Sequence, residues 1–218
     1  MSFNLMILLS CSILLPAVAA LARCMRVDTI YLPVMACIFF GALNDAFSVY
    51  LVIHQVSNAI NNNIYILLEA TLLLWQFSNW GLFGRFRTGA AIVAVVIFAG
   101  WLYDYHNVEG IKTFHSFFRI GYGLLLVLAS LLMIHELVSG YYGRLIKNAV
   151  FIFCSGFIIY FSFQVLTEIF MLYGLYQSEA FQQTIFYAST YSNAFVNLIY
   201  FIAILWIPRK PQYIMLPS

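Results

Sequence analysis

Apolar residues along this chain fall into seven long runs, at 3–21, 31–55, 64–83, 89–103, 113–137, 149–173 and 184–206, separated by short polar links. At 1.5 Å of rise per residue, a helix of about 20 apolar residues crosses the roughly 30 Å hydrocarbon core of a bilayer. The pattern therefore predicts an all-α polytopic membrane protein, a seven-transmembrane-helix bundle forming one domain over residues 1–218. Links of roughly ten residues or fewer make consecutive helices antiparallel neighbours. The link at 57–63 holds four asparagines and is expected to be a polar turn outside the hydrocarbon. The stretch 9–20 has the look of a leader's apolar region, but residues 2–8 carry no positive charge, so we expect a retained first span.

Polar residues interrupt the runs at helical spacing. Glu69 and Gln76 are seven apart on the third run; His115, Arg119 and Tyr122 follow one another at four and three on the fifth. Gln164 and Glu168 lie four apart on the sixth, Ser189, Asn193, Asn197 and Tyr200 form a stripe on the seventh, and Asp45, Ser48 and Gln55 recur on the second. An ionisable group within a membrane span is expensive unless it faces protein or water, so five helices are expected to turn one polar stripe inward. Counting from the ends places Glu69, Arg119 and Glu168 in one outer third, with Asp45 and Asn193 nearer the middle. A guanidinium can hold two carboxylates, so Arg119 is expected to pair with Glu69, Glu168 or both. The expected ligand-binding set is Glu69, Arg119, Glu168, Asn193, His115, Gln76 and Tyr122. Asp45, apart from the other charges, is the candidate for proton coupling.

Composition sharpens this reading. With 64% hydrophobic and 8% charged residues, the chain lies far outside the range of soluble domains. The net charge of +2 and scattered basic residues exclude a nucleic-acid surface. Arg23, Arg26, Arg85, Arg87, Arg144, Lys147, Arg209 and Lys210 all fall on the links after runs one, three and five or on the C-terminal tail, whereas the opposite side has Lys112, with Arg119 near it. By the positive-inside rule this predicts an extracytoplasmic N-terminus and a cytoplasmic C-terminus, and we expect a bacterial inner (plasma) membrane protein. Cys11, Cys24, Cys37 and Cys154 are isolated and read as packing residues, no paired-histidine motif suggests a metal, and no cofactor is implied.

In helix count and orientation the chain resembles the microbial rhodopsins, which would imply a retinal-binding lysine in the seventh run. That run has none, the lysines being Lys112, Lys147 and Lys210. It is also similar in architecture to the small sugar-transporter and cargo-receptor group built as three helices, a linker helix and three more. The proline-glutamine pair of that group is missing from the spans and occurs here at Pro211-Gln212 in the tail.

Three functions use the expected residues. A small-solute transporter with an outward polar cavity, coupled to protons through Asp45, is the first. A receptor or sensor with an outward ligand pocket is the second, and an intramembrane enzyme acting on a lipid or isoprenoid substrate is the third. The expected partners are membrane lipids, a small polar or amphipathic ligand, and a second copy of the chain or another membrane protein.

Overall fold

The computed structural model describes residues 11–84, 87–107, 116–140, 145–172 and 178–209, together with Leu9. Among these residues there are seven α-helices: α1 (Leu14–Arg23), α2 (Leu32–Ile53), α3 (Ala59–Asn79), α4 (Arg87–Asn107), α5 (Ser116–Gly140), α6 (Ala149–Leu172) and α7 (Glu179–Trp206). Several starts have a local cause in orphan backbone N–H groups that need an acceptor. The Asp28 carboxylate accepts from the Ile30 amide at 3.1 Å in the turn leading into α2, where Pro33 sits at a position needing no donor. Asn148 accepts from Val150 at 2.9 Å and Phe151 at 3.3 Å to open α6, and Ser178 accepts from Phe181 at 3.2 Å to open α7.

Five of these helices contain stretches long and apolar enough to cross a membrane, at Thr29–Ile53, Thr88–His106, Ser116–Gly140, Ala149–Leu172 and Gln183–Trp206. α1 is apolar but has 10 residues, and α3, at 21 residues, carries Asn61, Asn62, Asn63, Glu69 and Gln76. The outward faces are as apolar as the interior: Val95, Leu128, Leu132 and Phe195 are all more than half exposed. Such a surface suits lipid and not water. The chain is an integral membrane protein.

The asparagine-rich link is not a turn. Asn61, Asn62 and Asn63 belong to the first turns of α3, which begins at Ala59 instead of 64. Their amides have partners that a turn in water would not need. Asn61 Nδ2 donates to Asn44 Oδ1 at 2.7 Å and to Ser48 Oγ at 3.2 Å, and Asn44 Nδ2 donates to Asn62 Oδ1 at 3.1 Å. Amides paired across two helices can sit where lone amides could not, and this ladder stitches α2 to α3.

Each helix packs on the next in chain order, α7 returns to α1, and α3 reaches inward to α5. The ring is closed by Arg23, whose Nη1 and Nη2 donate to the carbonyls of Ile204 at 2.6 Å and Ile207 at 3.0 Å. These carbonyls, at the end of α7, lack successors within the helix, and a cation suits that end. Just beyond, Val27 and Arg209 form an isolated antiparallel bridge. Of the five long apolar helices, α6 is the most buried and α4 the least. An aromatic column runs along α6: Phe157 packs on Phe77 of α3 at 6.0 Å between ring centroids and on Tyr200 of α7 at 5.6 Å, while Phe161 meets Tyr122 of α5 edge-on at 5.3 Å. Gly156 permits the α6–α7 approach, since a Cβ there would lie 2.7 Å from the Tyr200 ring.

Candidate functional site

Glu69 is 6% exposed and sits at the heart of the ring. The helical spacing of α3 places Tyr65 one turn before it, and the Tyr65 hydroxyl donates to Glu69 Oε1 at 3.2 Å. Tyr122 of α5 donates its hydroxyl to Glu69 Oε2. Gly41 on α2 makes room for the first of these phenols, because a Cβ at that position would lie 2.9 Å from the Tyr65 hydroxyl. One carboxylate thus collects donors from two helices, which satisfies a group that would otherwise be costly to bury.

Arg119 stands one turn before Tyr122 on α5 and pairs with Glu168 of α6 at 3.0 Å, their side chains 14% and 10% exposed. Ser116, a turn earlier still, donates its hydroxyl to the other oxygen of Glu168 at 2.6 Å. Of the two carboxylates expected to hold Arg119, the ion pair goes to Glu168, and Glu69 is held by phenols. The reason is geometric: α5 and α6 pack closely along their length, so Arg119 and Glu168 meet directly across that contact, while Tyr122 is the side chain that α5 turns toward α3.

Two cavities flank these groups. The smaller, about 80 Å³, lies at the centre of the ring, where Asp45, Tyr65, Glu69 and Asn193 face one another across α2, α3 and α7. The larger, about 300 Å³, is walled by α5, α6 and α7 and carries Arg119, Glu168, Gln164, Thr167, Ser189 and Ser192. Tyr160 and Asn193 line both, so the two chambers adjoin at these residues. A volume near 300 Å³ is at the lower edge of small-molecule sites. Such a lining offers a cation, an anion, amides and hydroxyls, enough to hold a small polar solute by direct hydrogen bonds.

Five of the expected residues, Asp45, Glu69, Arg119, Glu168 and Asn193, line these chambers, and Tyr122 touches them through Glu69. His115 lies outside the described residues. Gln76 stands elsewhere. It is fully buried, its Oε1 accepts from the Val34 amide at 2.9 Å, and its Nε2 donates to the Ile30 carbonyl at 2.8 Å. The side chain supplies the first turn of α2 with an acceptor, and it lines neither chamber. Replacing Gln76 with leucine is expected to lower stability by about 2 kcal/mol, through an unmatched amide and carbonyl, while any solute affinity of the folded fraction stays unchanged. Unfolding in detergent beside a binding assay checks both halves.

Tyr65, Ser116 and Tyr160 were not among the expected residues. Each had a signal: Tyr65 is four residues before Glu69, Ser116 three before Arg119, and Tyr160 four before Gln164, so each shares a face with a polar residue already singled out. Comparison with protein-family models, with curated proteins and with solved structures finds no match.

Proposed function

We propose that the protein is a carrier for a small polar solute, driven by protons, with all seven helices crossing the membrane. The observation that supports this reading is the pair of chambers in series. A polar vestibule with the Arg119–Glu168 pair adjoins a smaller inner chamber with Asp45 and Glu69, and Tyr160 and Asn193 line both. Polar groups from several helices around a central void, with rigid helices free to rock about it, suit alternating access.

The orientation is part of the proposal. Arg23 reaches the end of α7, and Lys147 lies over the Trp206 ring at 5.1 Å, so the basic residues gather at one rim of the bundle. Glu168 near the end of α6 and Ser189 in the first half of α7 put the vestibule toward the opposite rim. With the basic rim cytoplasmic in a bacterial plasma membrane, the vestibule faces outward. A solute entering there meets Arg119 and Glu168 first, and hydroxyls and amides of α7 replace its hydration shell. Asp45 is the proton carrier, because it faces the inner chamber and stands apart from the ion pair.

The test uses the purified chain in liposomes holding a pH-sensitive dye, with a panel of amino acids, sugars and small organic acids offered under an imposed pH gradient. At least one solute is expected to move protons with it. Asp45→Asn is expected to abolish this coupled flux while retaining exchange of the same solute between equal pools. If no member of the panel changes the dye signal or accumulates above protein-free liposomes, the carrier reading fails. Saturable binding without any flux would replace it with a receptor.

A further inference from the structure

A third cavity, about 360 Å³, runs between α4 and α5 on the outside of the ring, and its chemistry is unlike that of the two chambers. Its length is apolar, walled by Ile97 and Gly100 on one side and Gly121 and Leu125 on the other. At its head is Asp104, 2% exposed and the groove's one carboxylate among the described residues. Asp104 Oδ2 accepts from the Phe118 amide at 3.1 Å and so caps the start of α5. Asp104 Oδ1 is buried with no hydrogen-bond partner among the described residues. A buried carboxylate oxygen without a donor is costly, and native proteins seldom leave one so.

We infer that this groove binds a lipid with a primary ammonium head group, the ammonium on Asp104 and an acyl chain along α4 and α5. Three observations select that occupant. The orphan oxygen is an acceptor on an anion, so it calls for a donor that is a cation. Phe117 borders the same end of the groove and brings an aromatic ring, whose face attracts an ammonium. Asp104 lies three residues before the end of α4, close to the level of lipid head groups, while the apolar length of the groove extends back toward the membrane interior. An anionic head group would meet Asp104 and find no Lys or Arg in the described lining. A choline head group has the charge but no N–H to give the orphan oxygen.

Gly121 supplies the means of blocking the groove. A Cβ there would meet nothing within 4 Å, so a larger side chain extends into the groove without displacing α5.

Native mass spectrometry of the full chain in detergent tests the inference, with phosphatidylethanolamine, phosphatidylcholine and phosphatidylglycerol of matched acyl chains in equal amounts. Retention of the ethanolamine lipid is expected to exceed that of the glycerol lipid about tenfold, as a charge-assisted hydrogen bond supplies, with the choline lipid between them. Asp104→Asn keeps an acceptor for the Phe118 amide and is expected to reduce the ethanolamine lipid to the level of the glycerol lipid. Gly121→Leu keeps Asp104 and is expected to lose the ethanolamine lipid as well, so a poorly folding Asp104 variant does not shield the idea. Retention indifferent to head group in the wild type, or a preference that survives either substitution, overturns it. Free ethanolamine at millimolar concentration is expected not to displace the lipid; full displacement would show that the acyl chain adds nothing and overturn the lipid assignment.

Discussion

Replacing Glu168 with leucine is expected to destabilise the folded protein by about 3 to 5 kcal/mol, the range seen when one partner of a buried ion pair is removed. The partners here are 14% and 10% exposed, so solvent does little to screen the loss. Arg119 would face leucine where its carboxylate stood, and the Ser116 hydroxyl, 2.6 Å from the other oxygen, would lose its acceptor too. The charge could not withdraw easily, since Arg119 sits in the first turn of α5 with Tyr122 of the same face bound to Glu69. Removing both charges together, as Arg119→Met with Glu168→Leu, is expected to restore most of the stability, because paired desolvated charges seldom beat apolar side chains of like volume. A double-mutant cycle of unfolding free energies in detergent separates the terms. If Glu168→Leu cost less than about 1 kcal/mol, the pair would be behaving as a screened one at the edge of the 300 Å³ chamber and not as a buried one.

Gly156→Val is expected to cost about 3 kcal/mol, the upper end of ordinary overpacking. A Cβ at this position would lie 2.7 Å and 3.1 Å from two atoms of the Tyr200 ring and 3.2 Å from an Ile199 methyl. The ring cannot swing aside freely, for it packs against Phe153 at 6.0 Å and Phe157 at 5.6 Å between centroids. The whole of α7 would have to move, and with it Asn193, which lines both chambers. Tyr200→Leu introduced into the Gly156→Val background is expected to recover a good part of the loss, since it removes the atoms in conflict. Thermal unfolding of the two single variants and the double variant provides the check; equal loss in the single and double variants would place the strain in α6 itself and not at the contact.

Much of the bundle was legible because a lipid-facing helix leaves a coarse signature, a long apolar run with polar residues on one stripe. Glu69, Arg119, Glu168 and Asn193 all lie on such stripes, and in the structure they line the two chambers. Which inward residue touches which was not legible, since periodicity gives a side chain's face but not the neighbour it meets. Arg119 therefore had two candidate carboxylates, and the close packing of α5 on α6 decided between them. Gln76 shows the same gap from another side: nothing in its spacing distinguishes an amide that lines a cavity from one that completes the first turn of a neighbouring helix. The asparagines at 61–63 misled for a related reason. Three consecutive amides resemble a solvated turn, and the facing Asn44 and Ser48 give them partners within a helix instead. Arg23 served in the sequence as one count in the charge bias, though its guanidinium joins the two ends of the ring.

That junction joins two segments that are synthesised far apart in time. Arg23 and its acceptor at Ile204 are separated by 181 positions in the chain. At translation speeds of about 5 to 20 residues per second, the ribosome needs roughly ten to forty seconds to go from one to the other. Throughout that interval α1 has α2 as a companion but not α7, so the contact that closes the ring cannot form. The guanidinium can reach its acceptors only once α7 exists, and until then the inner chamber lacks the wall that Asn193 and Tyr200 give it.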